Sequence, residues 1–115
     1  MSVVYVSHAA AAMSDIERAT AKALEIIGGK AETYAKQLCP VDTGRLRNSI
    51  THAQVDEKTE AVGTNVEYAP YVELGHHTSG GNLVAARPFL RPAAENHQEE
   101  YMNVFKTCMA EIGQP

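Results

Sequence analysis

The sequence is poor in large apolar side chains, which limits the size of any core that it can build. Leucine, isoleucine, valine and phenylalanine together account for 23 of its 115 residues, while alanine alone contributes 17. A single domain of this length buries only about two-thirds of the surface of its unfolded chain. The sequence therefore predicts one domain, residues 1–115, with a thin core that burial against a partner would help to stabilise.

Other features are also missing, and each absence excludes a class of function or location. No run of 18 apolar residues exists, so no segment is expected to span a membrane. Ten lysines and arginines against fourteen acidic residues give a net charge of −4, too acidic for a dedicated nucleic-acid binder. The first residues lack the basic start of a secretory signal. Two cysteines, Cys39 and Cys108, fall at no motif spacing, which predicts reduced thiols.

Apolar periodicity predicts a long helix in the first third of the chain. Ser14 has the position of a helix cap, and apolar residues then recur at three- and four-residue steps over residues 16–38. Pro40 ends this helix because a proline disfavours the helical conformation of the residue before it. Gly28 and Gly29 lie within the pattern, where we expect either a bend or the close approach of another backbone.

The rest of the chain predicts a small sheet and a second long helix. Residues 50–55 and 61–66 alternate between apolar and polar side chains across a polar turn, which is typical of a β-hairpin. A helix is expected over residues 92–112, with Pro92 in its first turn. The fold class is therefore α+β: a small antiparallel β-sheet with a long N-terminal helix and a long C-terminal helix packed on it. Shorter or looser segments complete the prediction: helical turns over residues 45–50 and 68–75, a strand over residues 83–86, a flexible arm or edge strand over residues 1–13, and a mobile loop over residues 76–83.

The triplet Asp42, Thr43 and Gly44 is the strongest catalytic signal, because aspartic proteases use the same three residues. That chemistry needs two carboxylates that share a proton across a dimer axis, in an almost all-β fold. Here the triplet lies between helical segments, and two arginines follow it, which would keep Asp42 ionised. We favour a structural role in which Asp42 or Thr43 caps the helical turn that follows. A small hydrolase of this kind, or one that uses the Cys39 thiol, is the alternative function.

The remaining reactive side chains predict neither a metal site nor a cofactor site, so no cofactor is expected. His76 and His77 are adjacent and would point to opposite sides of a strand, while His52 is isolated in the sequence. No pair of cysteines or histidines has the spacing of a metal motif, and no glycine-rich loop could hold a phosphate.

Four of the five arginines flank the predicted sheet. We expect them to pair with acidic residues, either within the subunit or across an interface. The alternative is a positive rim that contacts the phosphates of a passing nucleic acid without reading its bases. These arginines are Arg45, Arg47, Arg87 and Arg91.

Three segments, taken in order, resemble a known protein family. They are PVDTGRLRNSI at residues 40–50, VGTNVEYAPYVELG at residues 62–75 and ARPFLRPA at residues 86–93. Together they resemble the HK97 gp10-like family of tailed-bacteriophage proteins, whose members are small head–tail connector or tail-component subunits. The motifs span about half of the chain, and their order is more specific than any one of them.

This resemblance implies a structural virion protein rather than an enzyme. Such subunits assemble as a homo-oligomeric ring, usually sixfold and here with twelvefold as the alternative, which joins the capsid to the tail around the DNA channel. The implied partners are further copies of the chain and the adjoining connector and tail proteins. DNA would make at most weak, non-specific contact, and no membrane is involved. The implied localisation is the virion, after assembly in the cytoplasm of the host bacterium.

The resemblance also suggests roles for individual motif residues. The glycines would supply turns and close approaches, and the aromatic side chains would anchor the core or an interface. The charged side chains would form ion pairs between subunits that set the register of the ring, and the adjacent histidines lie in a loop that would meet a neighbour. The candidates are Gly44, Gly63 and Gly75 for turns, and Arg45, Arg47, Tyr68, Tyr71, Glu73, His76, His77, Arg87, Phe89 and Arg91 for assembly.

Overall fold

A three-stranded antiparallel sheet provides the frame of the molecule, of which a computed structural model describes residues 2–7, 14–41 and 44–112. Its strands are β1 (Ser2–Ser7), β2 (Thr51–Asp56) and β3 (Thr59–Thr64), in the order β1-β3-β2. The predicted hairpin is confirmed as β2 and β3, and β1 forms the edge beside β3. A separate two-stranded sheet pairs β4 (His76–His77) with β5 (Leu83–Val84).

The helices follow the predicted order, with one difference near the C-terminus. They are α1 (Ser14–Leu38), α2 (Arg45–Ser49), α3 (Ala69–Leu74), α4 (Leu90–Glu95) and α5 (Gln98–Ala110). The prediction of one continuous helix over residues 92–112 is wrong, because the chain leaves the helical conformation at His97, whose φ is −123°. The His97 ring instead stacks on Tyr34 of α1, with ring centroids 3.6 Å apart.

The helices pack on the sheet and on one another, which confirms the α+β prediction. α1 packs on β2 and β3, α4 packs on β1 and β3, and α5 packs on α1. Ala23, Ala31 and Ala35 are fully buried along α1. Because alanine side chains are short, they let neighbouring backbones come close, and this is how a chain with few large apolar residues closes its core.

The largest fully buried side chains are Tyr101 and Phe89, which the core holds together with Ile27 and Leu90. The Tyr101 hydroxyl donates a hydrogen bond to the carbonyl of Ala93, so this polar group is satisfied inside the core. Burial also raises the pKa of Tyr101 far above its usual range. The third motif, which contains Phe89 and Leu90, therefore belongs to the folding core of the subunit.

Gly28 allows two polar side chains to approach α1, so the close approach expected here is made by side chains rather than by a backbone. The helix runs through Gly28 and Gly29 without interruption. A Cβ atom on Gly28 would lie 2.5 Å from Nδ1 of His52 and even closer to the Glu60 carboxylate. Real Cβ atoms do not come that close to other atoms, so any larger residue here would force the His52 and Glu60 side chains to move.

Candidate assembly surface

The three motifs converge on one cleft of about 460 Å³ at the end of α1. The first motif contributes the turn before α2 and the start of that helix, the second contributes α3, and the third contributes the segment before α4. These segments are distant in sequence but adjacent in space, so the three motifs contribute to one surface. The cleft is lined by Pro40, Val41, Gly44, Arg45, Leu46, Tyr68, Val72 and Arg87.

Arg45 pairs within the subunit. Its guanidinium donates two hydrogen bonds to the Glu67 carboxylate, at 3.1 and 3.0 Å, and its Cζ atom lies 5.5 Å from the centroid of the Tyr68 ring. The hydrogen bond from Arg45 lowers the pKa of Glu67. Arg91 likewise pairs with Glu95 one turn later on α4, at 2.9 Å. Both pairs are exposed to solvent, so their contribution to stability is small.

Arg47 and Arg87 differ from the other two arginines of the motifs. Both are exposed, and neither guanidinium forms a hydrogen bond or ion pair with any residue that the structure describes. Both act on the nearby Cys39 thiol: burial raises the pKa of Cys39, and the two positive charges oppose this rise. Of these two arginines, Arg87 lines the cleft, where its guanidinium is a charged hydrogen-bond donor.

Glu73 joins the second motif to the third. Its Oε2 accepts a hydrogen bond from the N–H of Phe89 at 3.1 Å, and its Oε1 accepts one from the N–H of Leu90 at 2.8 Å. These amides belong to the first turn of α4, where no carbonyl of the same helix can accept from them. Glu73 thus caps α4 from α3, a role within the subunit that its position in the sequence did not reveal.

Residues 75–88, which we call the arm, form a narrow hairpin built on Gly75. Gly75 has φ 77° and ψ 168°, a region of the backbone that is essentially restricted to glycine. A Cβ atom there would lie 2.8 Å from the amide nitrogen of Ala86 and from the carbonyl oxygen of Val84. At the far end, the N–H of Thr78 donates to the carbonyl of Asn82 at 2.8 Å, which closes the turn. Mobility of residues 76–83 stays a prediction.

Apolar side chains are exposed on the arm and at its base. Tyr71 is 58% exposed, Leu74 74%, Leu83 69% and Val84 40%, and we call these four residues the arm patch. From His77 to Pro88 every residue is exposed. The molecule measures 63 × 21 × 21 Å along its principal axes, so it is far from spherical. Exposed apolar patches of this kind mark interaction sites.

The other assembly candidates occupy different environments. Phe89 is fully buried, so it packs inside the subunit, and Tyr68 is half-buried against the core. His76 is half-buried and meets the edge of the Tyr71 ring at 5.6 Å, whereas His77 is exposed. Gly44 begins α2 with φ 85°, a turn that glycine favours. The caps proposed for Asp42 and Thr43 lie outside the described residues, and Gly63 pairs within β3 with β1 and β2.

The structure adds one cluster that the sequence did not indicate. His52 is not isolated: its Nδ1 lies 2.8 Å from Oε2 of the buried Glu60, and its Nε2 lies 3.8 Å from Oε1 of Glu25. The available signals were a glycine inside a helical pattern at Gly28 and a glutamate on the inner face of a strand. Neither signal identifies the residues that meet here, because Glu25 lies on α1 whereas His52 and Glu60 lie on two strands of the sheet.

The hydrolase alternative gains no support from the position of its thiol. Cys39 is 5% exposed, and its Sγ donates only to the carbonyl of Pro40, at 3.4 Å. Burial raises the pKa of this thiol, which disfavours the thiolate that a nucleophile requires.

A family model matches more than half of the chain. It is the HK97-gp10_like model, described as "Bacteriophage HK97-gp10, putative tail-component", and it matches residues 7–75. The chain belongs to this family. The match contains the first two motifs and ends at Gly75, where the arm begins. No curated protein and no solved structure matches the chain.

Membership of the HK97-gp10_like family indicates a structural role as a component of a phage tail, and the virion as the place of action. This agrees with the resemblance carried by the motifs. Among the described residues, no helix is both long enough and apolar enough to cross a membrane.

Proposed function

We propose that this family member is a ring-forming subunit of the head–tail connection, a neck or tail-completion protein that joins the capsid to the tail around the DNA channel. Six copies form the ring, with twelve as the alternative, after assembly in the host cytoplasm. The arm of one copy packs on the next copy. The observation that carries this proposal is the arm patch, exposed apolar side chains on the hairpin and on the helix at its base, in a chain whose own core is small.

The shape of the subunit supports contact between copies through the arm. Among the described residues, none of the arm belongs to the buried core, and the contacts that hold the hairpin lie at its base and in its own hydrogen bonds. Exposing leucine and valine side chains to water is unfavourable, and a partner that covers them would remove this cost. A closed ring supplies the same partner to every copy, because each contact surface meets its complement on the next subunit.

Two arginines of the motifs, Arg47 and Arg87, have no partner among the residues that the structure describes, which supports a role for them in setting the register of the ring. Arg47 and Arg87 can reach acidic side chains of a neighbouring copy, and the chain carries an excess of acidic residues. Ion pairs across an interface select one relative orientation and speed association. The same two arginines would be the ones to touch DNA if they faced the channel, where the net charge of −4 would keep that contact weak.

The arm is tested by placing charges in the arm patch. Leu74→Asp combined with Leu83→Asp should leave the subunit folded, because both side chains are mostly exposed, and should prevent assembly. The matched control is Val55→Asp on β2, which replaces another apolar side chain that is 54% exposed but lies outside the arm patch. Sedimentation velocity measures the oligomer, and complementation of a phage that lacks the gene measures the joining of heads to tails.

We expect the arm variant to stay monomeric and to yield separate heads and tails, while the control assembles like the unchanged protein. Normal assembly by the arm variant would show that the arm is not the contact. Absence of the protein from purified particles would contradict the head–tail role itself.

The arginines are tested separately. Arg47→Gln with Arg87→Gln should weaken assembly most at low salt, whereas Lys106→Gln, an exposed charge on α5, should not. If the arginines face DNA, the double variant will form rings normally and only its retention on DNA will fall.

A further inference from the structure

We propose that Glu25, His52 and Glu60 form a binding site for a first-row divalent metal ion of the Zn²⁺ type, between α1 and the sheet. One ligand atom from each of these three residues lies within 4.8 Å of the other two. The cluster combines an imidazole with two carboxylates, the ligand types that Zn²⁺ and related ions use in proteins. This site is independent of the arm and of the proposed ring.

The buried carboxylate of Glu60 is the main evidence for a ligand at this site. Its side chain is 1% exposed, and Oε1 is buried without a hydrogen-bond partner among the described residues. Its Oε2 has one partner, Nδ1 of His52, at 2.8 Å. A buried carboxylate oxygen that binds nothing is costly, and natural proteins pair such groups or coordinate them to a metal. A divalent cation would satisfy Glu60 and neutralise both carboxylates at once.

The three side chains lie close enough together to reach one metal ion after small side-chain movements, since one ligand atom from each lies within 4.8 Å of the other two. Two ligand atoms that each bind Zn²⁺ at about 2.0–2.2 Å in tetrahedral geometry lie roughly 3.4 Å from one another. Nδ1 of His52 lies 2.8 Å from Oε2 of Glu60, whereas it is the other ring nitrogen, Nε2, that lies 3.8 Å from Oε1 of Glu25, so an ion bound through one nitrogen requires a carboxylate to move toward that nitrogen. Small rotations of the Glu25 side chain, which is 73% exposed, would complete the approach from the solvent side.

Gly28 makes room for this arrangement. A Cβ atom at this position would overlap both His52 and Glu60. Glycine is less favourable than alanine in a helix, but here it leaves space for these two polar side chains. By contrast, nothing lies within 4 Å of a Cβ atom on Gly29, the next residue. With three protein ligands, the ion would keep a fourth position for water.

The test measures Zn²⁺ binding to the untagged full chain after treatment with a chelator and dialysis, by competition with a chromophoric chelator. We expect binding of one ion per chain and a rise in the melting temperature with Zn²⁺. Mg²⁺ should bind much more weakly, because it prefers an octahedral set of oxygen ligands. Glu25→Gln should weaken Zn²⁺ binding about 10-fold or more and abolish the thermal shift, without altering the fold, since Glu25 is exposed.

Two controls separate this site from other ligands. Glu17→Gln changes another exposed glutamate of α1 and should leave binding unchanged. His76→Gln with His77→Gln removes the adjacent histidines of the arm and should also leave it unchanged. The proposal is overturned if the unchanged chain binds no Zn²⁺, or if binding survives both Glu25→Gln and His52→Gln. It is equally overturned if binding is lost with the arm histidines instead.

Discussion

The body of the molecule and its arm use apolar residues in opposite ways. In the body, α1 packs against both the sheet and α5, and short alanine side chains let these elements close around Phe89 and Tyr101. In the arm, leucine and valine side chains remain exposed, and backbone hydrogen bonds hold the hairpin together. The body is therefore stabilised by its own burial, whereas the arm keeps its apolar surface for a partner. Substitutions in the body should therefore change the free energy of unfolding, whereas substitutions in the arm patch should change the assembly of subunits.

The largest contrast is expected between Phe89 and Leu83. Phe89→Ala leaves a cavity in the core and should lower the free energy of unfolding by about 3–5 kcal/mol. Leu83→Ala removes a side chain that is 69% exposed and should change it by less than about 0.5 kcal/mol. Urea denaturation of the monomer measures both values. Similar losses at the two positions would show that the arm belongs to the cooperative core.

The next effect concerns the link between the two regions. Glu73→Ala removes the acceptor of two amides at the start of α4 and should cost about 2 kcal/mol. The control is Glu95→Ala, which loses only an exposed pair with Arg91 and should be nearly neutral. Urea denaturation again gives the values, and an equal cost for both variants would mean that the cap of α4 is not important.

Gly75→Ala should open the base of the arm and leave the body intact. The φ of 77° and the nearby backbone of Ala86 make alanine unfavourable by about 1–3 kcal/mol. Hydrogen exchange at the amide of Arg87, which donates to Val72, reports this opening. Gly29→Ala is the matched control inside α1, where open space surrounds the Cβ position, and it should stabilise the chain by about 0.5–1 kcal/mol. An unchanged exchange rate in Gly75→Ala would contradict the proposed strain.

The smallest effect is a pH dependence within the body. The Tyr34 hydroxyl donates to the Glu100 carboxylate across α1 and α5 and lowers the pKa of Glu100. The stability from this contact is present above the ordinary glutamate pKa and is lost as the pH falls through the lower value of the folded state. Glu100→Gln should therefore reduce the slope of stability against pH on the acid side, in thermal melts from pH 3 to pH 6, roughly the range where carboxylates titrate. Glu99→Gln, the exposed neighbour, should keep the slope.

Much of the fold was predictable because local signals agreed with the final packing. The apolar repeat of α1, the proline that follows it and the alternation of β2 and β3 each depend on residues close together in the chain. The broken C-terminal helix was not predictable in this way. Its interruption at His97 coincides with stacking on Tyr34, a residue more than 60 positions earlier, and no periodicity within residues 92–112 carries that information.

The candidate site was also predictable only in part from the sequence. The motifs indicated which residues belong together, and the cleft brings their segments into contact. The motifs did not show that Phe89 is buried or that Glu73 caps α4. Nor did they show that Arg45 and Arg91 pair within the subunit, while Arg47 and Arg87 have no partner in the part of the chain that the structure describes. Each of these facts depends on which side chain occupies the neighbouring space, and residue type alone leaves several partners open.

The sequence by itself determined the α+β class, the thin alanine-rich core and the family, because composition, periodicity and motif order are properties of the chain. Only the tertiary structure decided where the apolar residues lie. It placed some in the body and left the arm patch exposed. It also explained Gly28, which the periodicity marked as a defect in a helix, by bringing His52 and Glu60 against it. The physical reason is that burial and polar pairing are set by contacts between distant residues, and these contacts exist only once the layers have packed.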